Sequence, residues 1–292
     1  MAQEYQLVDP FVSLPEPPQG EHRQLDPHIA GWFRHSKALL AGATIDDMIA
    51  DMDEAGIETA ILTADGVPQG LHKSPYTVGQ NVDDESFDAV CQKIAAVRAR
   101  YPGRFHGCIG IDPTGVMRAV RQLERAVRDY GFGSCWMMPA LVGLPPNHAT
   151  YFPVYTKCVE LGIPVKINVG IPGPLRPGWV QQPLYLDEVL LAFPELIVVG
   201  THVGHPWYLE TVALLQKHTN FYLITCGWAP SYIPREIWHF ANTRGPHKVM
   251  WSSDYPLLPM QRCTREGWEV PLKDEVKRRY LRENTLEVFK LG

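Results

Sequence analysis

Short apolar or β-branched runs alternate with amphipathic stretches along nearly the whole chain, the pattern of a parallel sheet whose strands are joined by crossover helices. Eight runs read as strands, beginning near Gln6 (QLV), Glu58 (ETAIL), Phe105 (FHGCIGI), Ser134 (SCWMM), Pro164 (PVKIN), Ile197 (IVVGTH), Phe221 (FYLIT) and Lys248 (KVMWSS). Each is apolar with little alternation, as a strand buried on both faces requires. The helices between them carry their own punctuation. Thr44 with Asp47 three residues later makes a capping box before MIADMDEAG, and Gly56 supplies a left-handed stop. From Asp84 to Arg100, Phe87, Val90, Ile94 and Val97 fall on one stripe, which Pro102-Gly103 ends. Gly115 to Tyr130, Pro153 to Leu161, Leu184 to Phe193, Trp207 to His218 and Pro234 to Thr243 follow the same plan, and a last helix runs from Asn284 to Leu291.

Eight such units without a break in composition predict one closed (β/α)8 barrel over residues 1–292 rather than an open doubly wound sheet. No glycine-rich dinucleotide fingerprint follows the first strand, which also disfavours the open sheet. Two connections are long. About Asp9 to Ala43 carries His28, Trp32, Phe33 and His35, and Asp65 to Asn81 carries His72 and Tyr76. Both are expected to rise from the C-terminal rim, where barrel enzymes keep their active sites.

Composition narrows the partners. A formal charge of −5 offers no basic face for nucleic acid, so a small molecule is the expected ligand. The start, MAQEYQLVDP, has no basic n-region or apolar h-region, and no stretch reaches the roughly 18 apolar residues of a membrane span. A cytoplasmic protein is expected. The six cysteines contain no C-x-x-C pair and read as reduced thiols filling the core.

Polar residues at the C-terminal ends of barrel strands point at the active site. Strand six ends in Thr201-His202-Val203-Gly204-His205-Pro206-Trp207 and strand eight in Ser252-Ser253-Asp254-Tyr255-Pro256, each joining an ionisable side chain to turn residues. His202 and Asp254 are the candidate acid and base: an aspartate buried at a barrel mouth has its pKa raised by desolvation, and a neighbouring imidazole shuttles the proton. Lys166, two residues before Asn168, shares its inward face and is either a substrate-facing cation or a charged lower layer of the barrel. Trp32, Phe33, Trp179, Trp207, Trp228 and Tyr255, with Arg176 after strand five and His205 in the strand-six turn, furnish aromatic and cationic rim groups. Such walls suit a flat cyclic carboxylic acid, whose ring stacks while a guanidinium binds the carboxylate.

The phrase THVGHPW, the later WSSDYP and the terminal REN-TLEVF resemble the second half of the amidohydrolase-related family, and MDEAGIETAIL resembles its first helix and second strand. That group includes gamma-resorcylate decarboxylase, aminocarboxymuconate semialdehyde decarboxylase and pyrone dicarboxylate lactonase. The resemblance implies that Asp254 is the strand-eight aspartate that binds metal or acts as general base, and that His202 is the strand-six proton donor or ligand. The departures are specific. The family's first strand ends in two histidines one residue apart, or in a glutamate and a histidine, whereas Asp9-Pro10-Phe11 stands here; strand five has Asn168 in place of a ligand histidine. A remaining set of Asp9, Asn168 and Asp254 is oxygen-rich and suits Mn²⁺, Mg²⁺ or Ca²⁺ held weakly rather than a tight structural zinc. His28, His35 or His72 would be the substitute ligands. The cofactor expected is thus one divalent metal (Mn²⁺, Mg²⁺ or Zn²⁺) or none.

The leading expectation is a hydrolase of a small cyclic or aromatic carboxylic acid derivative, with Asp254 activating water and His202 assisting. The alternatives are a non-oxidative carboxy-lyase of an aromatic acid and a ligand-binding pseudoenzyme. Relatives of this kind form dimers or larger assemblies, so a homo-oligomer is expected.

Overall fold

A computed structural model describes residues 5–18, 27–64, 83–173 and 176–291, without the side chains of 27–29. Eight parallel strands follow one another in chain order around the sheet: β1 (Leu7–Ser13), β2 (Ile57–Ala64), β3 (Phe105–Gly110), β4 (Ser134–Met137), β5 (Val165–Asn168), β6 (Val198–Thr201), β7 (Phe221–Ile224) and β8 (Val249–Met250). The crossovers are α1 (Ile45–Ala55), α2 (Asp84–Arg100), α3 (Met117–Tyr130), α4 (Phe152–Leu161), α5 (Tyr185–Ala192), α6 (Tyr208–Lys217) and α7 (Arg235–Thr243). This is the expected (β/α)8 barrel. Among the described residues no helix is long and apolar enough to cross a membrane.

The local rules hold where the sequence was explicit. Thr44 and Asp47 form the reciprocal capping box of α1, and Gly56 ends it at φ +71°. The region after β8 differs from expectation. It holds two further helices, α8 (Met260–Glu269) and α9 (Asp274–Arg278), and a π-helical turn (Arg279–Glu283) that leads into α10 (Asn284–Phe289). The polar run QRCTREGWE hides α8 because only Met260, Cys263, Thr264 and Gly267 are buried. β8 is also shorter than KVMWSS suggests, since the amide of Trp251 turns out of the sheet to the carbonyl of Tyr280.

The truncated β8 leaves a seam with β1, and side chains close it. Ser252 Oγ lies 2.8 Å from the Phe11 carbonyl, and the Ser13 amide donates to the Tyr255 carbonyl at 2.7 Å. Between these contacts lies Asp9, fully buried. Its carboxylate accepts from the hydroxyls of Ser252 and Ser253 at 2.5 Å each, from the Ser253 amide at 3.1 Å and from the Phe11 amide at 3.2 Å. Burial outweighs these four bonds and pushes the carboxyl up to about 6.

Beside a small cluster of Met138, Ala140 and Val180, two main apolar cores result. The larger fills the space between the strands and the surrounding helices. The smaller fills the barrel: Phe11, Ile61, Cys108, Val199, Ile224, Cys226 and Met250 meet Val288 and Phe289 of α10. Asn284 ties α10 to that end of the barrel through the carbonyls of Pro246 and Val249.

Candidate active site

Alternation along the strands decides what faces inward. Trp136, Lys166 and Val199 pair across β4, β5 and β6, as do Asn168 and Thr201 one pleat higher. Where β6, β7 and β8 end, the next side chains inside the barrel mouth are His202, Cys226 and Asp254. Both turns use unusual backbone: φ is +69° at His202, +67° at Val203 and +56° at Asp254, and His205-Pro206 and Tyr255-Pro256 are cis. Non-glycine residues in the left-handed region cost roughly 1–3 kcal/mol each and cluster at functional sites.

His202 and Asp254 are in contact, Nε2 to Oδ2 at 3.1 Å, with Asp254 buried and His202 half-buried. Donor and acceptor accounting then fixes the histidine. The Trp136 indole can only donate, and it reaches Asn168 Oδ1 at 2.6 Å. That oxygen also receives the Thr201 hydroxyl at 2.8 Å, so the single hydroxyl hydrogen of Thr201 is spent there. His202 Nδ1, 3.0 Å from Thr201 Oγ1, must therefore be the donor in its contact. With a proton held on Nδ1, the contact between Nε2 and the Asp254 carboxyl needs a second proton between them. Burial disfavours the imidazolium, but the sulfur of Cys226 and the carboxyl of Asp254 favour it, and the His202 pKa lies well above its ordinary value. The contacts with Thr201 and Asp254 thus favour the imidazolium form of His202.

The surroundings are aromatic and close. Phe11 lies edge-on to His202, with ring centroids 5.7 Å apart, and meets Trp136 at 6.0 Å. Gly227 lies over the pair at φ +75°: a Cβ there would stand 2.5 Å from His202 Cδ2 and 3.3 Å from Asp254 Oδ2. The site requires that position to lack a side chain. Ser36 joins the long first connection to the mouth, accepting from the Leu39 amide and donating to the Pro256 carbonyl.

The other expected site residues are dispersed. Asp9 is engaged in the β1–β8 seam, and Asn168 accepts from the Trp136 indole and the Thr201 hydroxyl. Lys166 is fully buried below the mouth, donates to the Pro10 carbonyl at 2.5 Å and lies between the rings of Phe11 and Phe289 at 5.2 and 5.1 Å. Burial lowers its pKa, and the lower-layer reading fits this placement. Tyr255 is buried in the outer core, its hydroxyl near Asp51 of α1, and turns away from the mouth. His205 is exposed and packs on Trp228 with centroids 5.0 Å apart. Trp207 is half-buried at the start of α6, and Arg176 is half-buried in the loop after β5. His35 is exposed and accepts from Arg34 at 3.2 Å. His72, Tyr76 and the side chain of His28 lie outside the described residues.

Three contributors were not singled out from the sequence. Trp136 and Thr201 fix the ring, and Cys226 lies with His202 and Asp254 so that one ligand atom from each falls within 4.8 Å of the others. Cys226 was legible in principle: it lies just past the end of β7, two residues beyond the inward Ile224. Burial pushes its thiol up.

Known proteins share this barrel. An uncharacterised TIM-barrel protein from Bordetella bronchiseptica superposes with a TM-score of 0.76 at 20% identity, covering 98% of each chain. 5-Carboxyvanillate decarboxylase from Novosphingobium aromaticivorans, complexed with manganese and 4-hydroxy-3-methoxy-5-nitrobenzoic acid, gives 0.72 at 18% identity over 99% of this chain and 97% of that one. 2,6-Dihydroxybenzoate decarboxylase from Rhizobium gives 0.71 at 18% over 98% and 99%. No match was found among curated protein sequences. The donors here do not fit manganese: the two additional oxygen residues are spent on internal hydrogen bonds, and the remaining cluster is one nitrogen, one sulfur and one oxygen, whereas manganese takes oxygen donors. The amidohydrolase family model matches residues 26–291, and with the eight-stranded barrel and the strand-six and strand-eight turns in place, the chain belongs to the amidohydrolase family.

Proposed function

We propose that this chain is a non-oxidative decarboxylase of a small aromatic carboxylic acid, with His202 as the acid that protonates the ring. The supporting observation is the 3.1 Å contact between His202 Nε2 and Asp254 Oδ2, with the Trp136–Asn168–Thr201 chain directing the other ring nitrogen to donate to Thr201. A cationic imidazolium donates before it can accept, and the ring carbon bearing a carboxylate is the acceptor such chemistry needs. The proton passes from Nε2 to that carbon, the bond to the carboxylate breaks, its electron pair restores the ring and carbon dioxide leaves. His202 is left neutral with its proton on Nδ1, beside ionised Asp254, and is recharged from solvent. The apolar, aromatic surroundings of Phe11 and Trp136 favour the step, because a carboxylate stripped of water loses its charge more readily. Aromatic-acid decarboxylases with the same barrel set the first substrates to try. The hydrolase reading ranks second, because it asks Asp254 to take a proton from water while that carboxyl already faces the imidazolium.

The test is incubation with a panel of hydroxybenzoic acids in deuterated water, scoring carbon dioxide release and deuterium at the vacated ring position. A general acid contributes on the order of 10²–10⁴-fold, so His202→Gln should lower kcat/KM by about that factor. Turnover of an ester, lactone or amide panel without carbon dioxide release would refute the proposal in favour of hydrolysis. No turnover of either panel, with binding retained, would leave the pseudoenzyme.

A further inference from the structure

Cys226 has no part in that proton transfer, yet it is fully buried beside the two residues that do. We propose that His202, Cys226 and Asp254 form a zinc site in which Cys226, after strand seven, is a ligand to which the family resemblance does not point, joining the strand-six histidine and the strand-eight aspartate. The donor chemistry is that of zinc: one imidazole, one thiolate and one carboxylate are its common ligands, and three protein ligands leave a fourth position for water or substrate. The geometry is close to ready. Tetrahedral zinc with nitrogen and oxygen ligands at roughly 2.1 Å separates them by about 3.4 Å, against 3.1 Å between Nε2 and Oδ2 here. Nε2 is also the correct nitrogen, because Nδ1 already donates to Thr201, which is the outer arrangement ligating histidines use. Gly227 keeps the space clear.

Because zinc occupies the nitrogen that carries the transferred proton, the zinc-loaded chain cannot use His202 as an acid. The inference does not rest on the decarboxylase reading, which requires the metal-free chain.

The experiment uses the full chain, stripped with chelator and titrated with cobalt(II) as a spectroscopic stand-in, followed by zinc competition. The expected result is one cobalt per chain with a near-ultraviolet sulfur-to-cobalt charge-transfer band that one equivalent of zinc abolishes. Cys226→Ser should lose the band and bind at least about tenfold more weakly, with unchanged far-ultraviolet circular dichroism. Asp254→Asn should weaken binding while keeping the band. Failure of the wild type to bind stoichiometrically, cobalt bound without a sulfur band, or a band that survives Cys226→Ser would overturn the proposal. If Cys226→Ser does not fold, Asp254→Asn decides: binding as tight as wild type overturns it. None of these readings uses turnover, so their failure is separate from failure of the proposed reaction.

Discussion

Asp9→Asn tests whether the β1–β8 seam is closed by a carboxyl that titrates in the folded barrel. The wild-type group moves from an ordinary value of 3.8 to about 6 on burial. Between those values the folded chain holds a proton that the unfolded chain has released, so stability falls as pH rises through that window. Integrating the two titrations, this group withdraws about 1.3 kcal/mol of stability between about pH 5 and about pH 7.5. Asparagine cannot titrate, and it offers one oxygen where the aspartate offers two. The amides of Phe11 and Ser253 each bond to a different carboxylate oxygen, so one of them loses its acceptor, at a cost of about 1–3 kcal/mol. The variant should therefore be less stable than wild type at about pH 5, and the gap should narrow by about 1.3 kcal/mol, roughly tenfold in the unfolding equilibrium, by about pH 7.5. Equilibrium urea unfolding of both proteins at the two pH values measures this, and taking the difference cancels the other titrating groups. A gap that stays constant with pH would refute the raised pKa. A gap that widens would mean that the seam holds Asp9 as a stabilised anion.

Three other perturbations bear on the mouth. Asn168→Leu removes the acceptor that occupies the Thr201 hydroxyl, freeing it to donate to His202 Nδ1; activity should fall about 10–100-fold and nitrogen NMR of His202 should show Nδ1 losing its fixed proton, whereas an unchanged spectrum would break the relay argument. Gly227→Ala puts a methyl group 2.5 Å from His202 Cδ2 on a backbone at φ +75°, so it should cost about 1–3 kcal/mol in thermal or chemical unfolding and separate the His202–Asp254 pair; a variant of wild-type stability and activity would show that the pair has more room than the distances give. His202, with its pKa raised by its partners, should remain an imidazolium in NMR titration well above the ordinary histidine value; the stability it contributes is complete below 6.5 and is lost as pH rises through the folded value, while a midpoint near or below 6.5 would contradict the pairing.

The barrel was legible because its evidence is repeated. Eight apolar runs, a capping box at Thr44 and Gly stops each carry the same local rule, and an error in one leaves the count intact. β8 and the helices after it were less legible because partners distant in sequence decide them: Tyr280 takes the Trp251 amide, and α8 buries a narrow stripe with Gly267 against Trp251. His202 and Asp254 stood out at strand ends because an ionisable side chain in a Gly- or Pro-containing turn is visible locally. Their proton arrangement was not, since it depends on an indole from β4 and an amide from β5 meeting at a single oxygen.

The same reasoning applies to the oxygen-rich ligand set that the sequence suggests. Asp9 and Asn168 lie near strand ends, and in the fold both are engaged in hydrogen bonds. Serines on the turn after β8 saturate Asp9, and Trp136 with Thr201 saturates Asn168. Both residues set the geometry around His202 and Asp254. One closes the seam beneath the strand-eight turn, and the other takes the Thr201 hydroxyl, which lies 3.0 Å from His202 Nδ1. Backbone strain is concentrated at His202, Val203 and Asp254. Such strain persists only where surrounding contacts over-determine the fold, and at the barrel mouth those contacts are the ones made by Asp9, Asn168 and Thr201.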